Sequence, residues 1–295
     1  MGSMPPCAGR PAHCCAGTNR DNAMAETLEL MEVPAKPRSR GARMLLRRLW
    51  RLSQPWLVLL AVLAGWQVAT AHAWVRAVFL PSPAVVFATL AHLVVSGELW
   101  ATLGTSVLRA VAGVVLAGVV GIPLGFAMAE FRVCRWLLSP YVAFGFPLPK
   151  IALIPVFTVW LGMDSLSKVV LVFATCVFPF IVAAESGASL VSPKLRWAAQ
   201  SLGTRQDALF RYVILPATVP ALLSGVRIAL PIGLITVFTA EMVTGGGLGE
   251  AIVQAQRYFQ SAQVYAYVLV TMLVGYLADA AIARIQRRFA AWADA

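Results

Sequence analysis

The stretch "WAAQSLGTRQDALFRYVILPATVPALLSG" (Trp197–Gly225) decides how this chain is organised. Apolar segments long enough to cross a bilayer lie on both sides of it. Its first half carries Arg205, Asp207 and Arg211, charges that a lipid-facing segment does not tolerate. It also has clear helix punctuation. Ser192-Pro193, just upstream, reads as an N-cap followed by Pro at the first helical position. Ala198, Ala199 and Leu202 share one small apolar face. Gly203 follows as the residue able to take a left-handed stop. Thr204-Arg205-Gln206-Asp207 has capping-box spacing, with Thr204 capping the next helix and Asp207 reaching back. That helix shows Leu209, Phe210, Val213 and Ile214 on one face. Leu215-Pro216 closes it and hands the chain to the next apolar segment. The reading is a short helix, a glycine turn and a second helix, a loop over 193–216 between two spans.

The composition supports a membrane setting. Of 295 residues, 59% are hydrophobic and 13% charged, about half the charged share of a soluble domain. The mean hydropathy is +0.76. The net charge of +11 is not one basic patch. It falls in short runs between apolar segments, the pattern of the positive-inside bias rather than of nucleic-acid binding. The five cysteines form no disulfide framework, and His13 beside Cys14-Cys15 fits no zinc spacing. Residues 1–40 mix Pro, Gly, Ser, Arg and acids without periodicity, so a disordered cytoplasmic tail is expected. They hold no apolar signal-peptide core, and Met24 begins a plausible shorter reading frame.

Six stretches have the length and apolarity of a transmembrane helix: roughly 55–75, 102–129, 137–160, 166–188, 217–241 and 262–283. The basic run "GARMLLRRLWR" (41–51) places the N-terminus in the cytoplasm. Walking the crossings forward puts Arg132, Arg135, Lys194, Arg196, Arg205, Arg211, Arg284, Arg287 and Arg288 inside. Arg76, Lys168 and Arg257 fall outside, against Glu98, Asp164 and Glu250. The expected fold is therefore an all-α integral membrane protein of six transmembrane helices with both termini cytoplasmic. Residues 41–101 hold the first span and an outer interfacial helix. Residues 102–290 form a core of five spans. The interfacial helix is read from "LPSPAVVFATLAHLVVSGELW" (80–100). Ser82 caps it, Pro83 starts it, and Val85, Val86, Thr89, Leu90 and Leu93 recur at helical spacing.

Span three contains "FPLPKIALIP" (146–155). Pro147, Pro149 and Pro155 each remove a helical donor. Backbone broken at membrane depth is tolerated only where protein buries it or where it lines a cavity. Lys150 lies near the middle of this span. Its ammonium either caps carbonyls that the prolines free or meets a solute. Arg109, Glu185, Arg227, Glu241 and Asp279 are also within or at the edges of spans and should face protein or a cavity. Arg109, Glu185, Glu241 and Asp279 read as structural charges. Lys150 and Arg227, both near the middle, are the candidates for an electropositive pathway. Arg227 and Glu241 lie about 21 Å apart along one helix and cannot pair.

The chain carries no Ser/His/Asp set, paired carboxylates or metal-ligand cluster. It has no G-x-x-x-x-G-K-[ST] and so no P-loop. On composition alone, the 193–216 loop fits docking to a partner and internal packing equally well.

The pattern A-A-x-x-x-G, eleven residues and L-P (Ala198, Ala199, Gly203, Leu215, Pro216) resembles the EAA loop of ATP-binding-cassette importer permeases. "LPSP" (80–83), "SGEL" (96–99), "SVLRAVAG" (106–113), "PLGFAMA" (123–129), "VWLGMDSLSK" (159–168), "LLSGVRIAL" (222–230), "AEMVTGGGLG" (240–249) and "GYLADAAI" (275–282) look like the nitrate/sulfonate/taurine branch. The resemblance covers about residues 50–290. Trp197 occupies the family's Glu position, Glu185 stands where a small polar residue is expected, and "PLPKIALIP" is closer to pyrimidine-precursor permeases.

The resemblance implies the type I ABC importer permease (MetI-like) fold in a bacterial inner membrane. It implies a non-catalytic subunit that holds no cofactor, ATP and Mg being bound by a cytoplasmic ABC ATPase dimer that clasps Ala198, Ala199, Gly203, Thr204, Asp207, Leu215 and Pro216. A periplasmic or lipid-anchored substrate-binding protein would deliver a small anionic solute to a permease homodimer working by alternating access. A pyrimidine- or vitamin-precursor permease of the same family is the alternative. A secondary transporter is a more distant rival, because only span three is strongly broken and no matching segment occurs in the other half. An intramembrane hydrolase lacks a nucleophile and base within the spans. His72 and His92 sit at interfacial positions, and no G-x-S-x-G occurs.

Overall fold

The computed structural model describes residues 57–58 and 60–289. The tail 1–40, the basic run 41–51, Met24 and the beginning of the first expected span lie outside the described residues. Contacts divide the chain after Val62, and the packing below is that of the unit beginning at Leu63. No strand occurs among the described residues.

The first apolar helix, α1, spans Leu60–Ala71. Interfacial helix α2 spans Pro83–Val95, with Ser82 as N-cap accepting from the Val85 N–H. Its periodicity resolves into a buried edge of Val86 and Leu93, while Val85 is exposed. Those two residues pack with Leu99, Leu248, Ala266, Tyr267 and Val270.

Helix α3 (Glu98–Glu130) is the longest single helix described before the loop. It is followed by α4 (Arg132–Gly145), a 3₁₀ turn (Lys150–Leu153) and α5 (Ile154–Leu161). The expected third span is thus not one disturbed helix. α4 and the Lys150–Leu161 segment meet at 89°. Pro147 and Pro149 lie in the break, where they remove two helical donors within three residues. Pro155 sits in the first turn of α5, where a missing donor costs nothing.

Helix α6 spans Ser165–Ser189. It packs closely against α3 because small residues line the seam. A Cβ on Gly125 would lie 2.4 Å from the Ile181 carbonyl and 2.6 Å from the Ala184 Cβ. Close backbone approach of this kind replaces hydrophobic driving force in lipid. Beyond it come α7 (Pro193–Ser201), α8 (Gln206–Leu209), a π-helical turn (Phe210–Ile214), α9 (Leu215–Thr244), α10 (Gly247–Arg257) and α11 (Ser261–Phe289). The main core joins α3, α6 and α9 through Ala110, Val114, Ala117, Val172, Cys176, Phe180, Ala229, Leu234 and Val237.

Leu215-Pro216 does not close a helix. Helical backbone runs without interruption from Gln206 to Thr244. The Leu215 N–H reaches back to the Phe210 carbonyl, one residue further than in an α-helix. This widened turn accommodates Pro216, which has no N–H and whose ring would crowd the carbonyl four residues back.

Four helices, α3, α6, Gln206–Thr244 and α11, are long and apolar enough to cross a membrane singly. The bent pair makes a fifth crossing if it is counted as one span. The described part of α1 is compatible with a sixth, whose start lies beyond the described residues. The chain is an all-α integral membrane protein.

Candidate functional site

Three groups of polar residues interrupt this apolar bundle. The first joins α3, α6, α9 and α10 at the end that carries α2. Arg109 Nη1 donates to Glu241 Oε1 at 2.7 Å, and its Nε donates to Ser165 Oγ at 3.0 Å. Ser106 Oγ donates to Glu241 Oε2 at 2.6 Å and accepts from the Leu248 N–H. The Gly249 N–H also donates to Glu241, and the Gly246 N–H donates to Glu250. Glu241 is fully buried. Gly247 has φ +76°, and a Cβ there would collide with Glu241 Oε1 and Ser106 Oγ. Only glycine fits. Lys168, read from the sequence as an outer-loop charge, is 3% exposed and donates to the Met163 carbonyl. The sequence reading missed Ser106, Ser165 and Lys168. The available signal was their recurrence at i, i+3 with Arg109 and within the first turn of α6.

The second group lies toward the opposite end. Arg135 meets Glu185 at 3.4 Å and donates to the Met128 and Ala129 carbonyls at the end of α3. Arg227 and Asp279 pair through two contacts, Nε to Oδ1 at 2.9 Å and Nη2 to Oδ2 at 3.3 Å. Arg227 therefore stands beside a carboxylate rather than as an open positive charge.

The third is the bend of span three. Phe146, Leu148, Pro149, Lys150 and Ile151 line a cavity of about 320 Å³ with α6 and α9. Lys150 Nζ donates to the Phe146 carbonyl at 2.8 Å and lies 4.8 Å from the Phe178 ring centroid. The structure does not bring Lys150 and Arg227 onto one cavity. Arg227 lines a different one, with Ser224, Gln286 and Arg287.

At the end of the bundle opposite α2, α7 projects between α6 and α8. Arg196 anchors it, meeting Glu130 at 3.2 Å and donating to the Ala188 carbonyl at 3.0 Å. The expected small face of α7 splits in two. Ala199 turns inward against the cluster of Phe126, Ala184, Ala188, Leu209 and Ile214. Ala198 and Gly203 are exposed. Leu195, Trp197 and Leu202 are exposed as well, Leu202 at 86%. Gly203 takes φ +77°, the left-handed turn. The expected capping box does not form. Arg205 is the N-cap of α8, and neither it nor Ser192 makes a side-chain capping bond. The Thr204 N–H instead closes the preceding turn onto the Ala199 carbonyl, so Thr204 belongs to the end of α7. Asp207 lies exposed in the first turn of α8.

Comparison with known proteins places this architecture. The profile of the family "Binding-protein-dependent transport system inner membrane component" matches residues 121–291. A probable ABC transporter permease protein of Brucella abortus (strain 2308) is 33% identical over 233 residues, 79% of this chain and 92% of that one. The putative aliphatic sulfonates transport permease protein SsuC of Bacillus subtilis is 30% identical over 78% of this chain and 84% of its own. The taurine transport permease TauC of Escherichia coli is 30% identical, covering 82% and 92%. Among solved structures, an inward-facing MetNI methionine ABC transporter chain aligns at TM-score 0.58 and 19% identity, over 65% of this chain and 95% of that one. That likeness gives the fold.

Proposed function

Because the chain belongs to the family of binding-protein-dependent transport system inner membrane components, we propose that it is the spanning subunit of an importer that moves a small anionic solute, of the nitrate, sulfonate or taurine kind, into the cell by ATP-driven alternating access. The supporting relatives are the sulfonate and taurine permeases at about 30% identity. The observation that carries the reading is α7. Leu195, Trp197, Ala198, Leu202 and Gly203 present apolar or small surface at a short helix outside the spans. Exposed apolar surface of that kind marks a partner site. Arg196 joins the helix to Glu130 of α3 and to the Ala188 carbonyl of α6, and in this reading those contacts pass a pull on α7 to both spans.

In this reading a dimer of cytoplasmic ATPases grips α7 in each of two permease copies, and those ATPases hold the ATP and Mg. A periplasmic or lipid-anchored binding protein meets the end carrying α2 and α10. Both termini face the cytoplasm, as the Lys/Arg distribution implies. The expected experiment is copurification with a partner ATPase and binding protein, followed by uptake into proteoliposomes. Uptake that needs ATP, and loss of ATPase association in Leu202→Asp, support the reading. Uptake driven by an ion gradient without ATPase would defeat it.

A second reading keeps the importer and changes the solute. The formylaminopyrimidine transport permease ThiX of Halalkalibacterium halodurans is 26% identical over 84% of this chain, and "PLPKIALIP" (147–155) favours a pyrimidine-precursor solute. Competition of uptake by pyrimidines against sulfonates separates the two.

A further inference from the structure

We propose that the cavity at the bend of span three is a solute site for organic anions that have an apolar body and no amino group. The inference rests on the importer reading and narrows it. Three elements line the cavity, which is open on one side: the broken segment Phe146–Ile151, Thr175 and Pro179 of α6, and Ile232, Ile235 and Thr236 of α9. Its volume of about 320 Å³ is at the low end of ligand pockets. Backbone without helical hydrogen bonding persists at this depth because it lines such a space.

Lys150 is the cation of that wall. Arg109, Arg135 and Arg227 each have a carboxylate within 4 Å. Lys150 forms no ion pair among the described residues. One of its three N–H groups goes to the Phe146 carbonyl, and the Phe178 ring lies beside the ammonium. Its remaining donors meet no carboxylate among the described residues and are open to an anion. Thr175 and Thr236 donate to the carbonyls of Leu171 and Ile232 in their own helices. Their hydroxyl protons are committed, so Lys150 is the side-chain donor left for an anion. No lining residue is acidic, so the ammonium of a zwitterion would meet Lys150 without compensation. Leu148, Ile151, Ile232 and Ile235 offer apolar surface that a bare inorganic anion leaves unused.

The test uses the full transporter, with ATPase and binding protein, in lipid nanodiscs. Ile235→Cys and, separately, Thr175→Cys place a thiol on the cavity wall. Cys7, Cys14, Cys15 and Cys134 are replaced by Ser, and the same background without an introduced thiol controls for Cys176. Sulfonatoethyl and trimethylammonioethyl methanethiosulfonates are the probes, and benzenesulfonate and taurine are the protectants. The anionic reagent should react faster, with the preference falling about tenfold in Lys150→Gln and surviving in Lys150→Arg. Benzenesulfonate should protect and taurine should not. Unreactive thiols at both positions, an unchanged preference in Lys150→Gln, or no protection by benzenesulfonate would each overturn the site. Equal protection by taurine would overturn its selectivity against amines. ATPase stimulation by the loaded binding protein is read on the same sample. Its absence defeats the importer reading, whereas its presence alongside any of those failures defeats the cavity alone.

Discussion

The Arg109 guanidinium donates to Glu241 at 2.7 Å across 132 residues of sequence, and Glu241 has no exposed surface. Helix α3, through Ser106 and Arg109, and the first turn of α10, through the Gly249 N–H, converge on that one carboxylate. Removing one partner of a buried pair leaves an uncompensated charge, which costs about 3–5 kcal/mol. Arg109→Ala should therefore lower the thermal midpoint of the detergent-solubilised permease sharply. Arg109→Ala combined with Glu241→Gln should recover part of that loss, because the orphaned charge is gone. A double variant no more stable than the single would show that the pair does not hold the α9–α10 turn.

The two alanines of α7 should behave differently. Ala199 packs inward, so Ala199→Arg should destabilise the permease by about 1–3 kcal/mol through overpacking. Any loss of ATPase binding would then be secondary. Ala198 is exposed, so Ala198→Arg should leave the melting curve in place and weaken ATPase copurification. Gly203→Asp should resemble Ala198→Arg with a modest stability cost, since Asp tolerates the left-handed conformation better than most residues. Equal ATPase recovery in Ala198→Arg and wild type would argue that this surface is not the docking face.

The α3–α6 seam gives a cleaner stability prediction. Gly125 has no room for a Cβ against the Ile181 carbonyl and the Ala184 Cβ. Neither is the flexible end of a side chain, so the helices themselves must separate. Gly125→Leu should reduce folded yield strongly, and Gly118→Ala should not, because its nearest neighbours sit at ordinary contact distance. Fluorescence-detected size exclusion of the two variants makes the comparison. Similar profiles would mean that the seam is looser than this packing requires.

The features legible in the sequence were those set by local chemistry. Ser82-Pro83 started α2 where a cap and a proline permit it, and Gly203 turned the chain after α7. The spans followed from hydropathy because lipid leaves the backbone few alternatives. Features set by distant partners were not legible. Prolines 147 and 149 mark where helical bonding fails, but the 89° turn also depends on what α4 and α5 pack against. Lys168 has the composition of a loop charge, and only the arrival of α9 and α10 beside α6 encloses it. At Pro216 a rule about single helices predicted a stop. The widened turn before it let the helix continue. The Thr204 box failed for a similar reason, since the tight turn at Gly203 claims the Thr204 N–H for the Ala199 carbonyl.

Arg227 and Asp279 separate a pathway role from a pairing role. The two side chains meet between α9 and α11 in a two-contact geometry, each partly exposed at the surface of the single subunit. If the pair serves to join the helices, Arg227→Gln and Asp279→Asn should each impair transport by leaving one charge unmatched. The double variant should then recover transport, because two neutral amides need no counter-ion and can bond to one another. If Arg227 instead contacts the solute, the double variant should remain as defective as Arg227→Gln, with the defect concentrated in KM. Uptake kinetics of the four proteins at matched membrane abundance give the answer. The pairing role is the expected result, since the guanidinium is engaged by the carboxylate through Nε and Nη2 at once, and a solute would have to displace Asp279 to reach it.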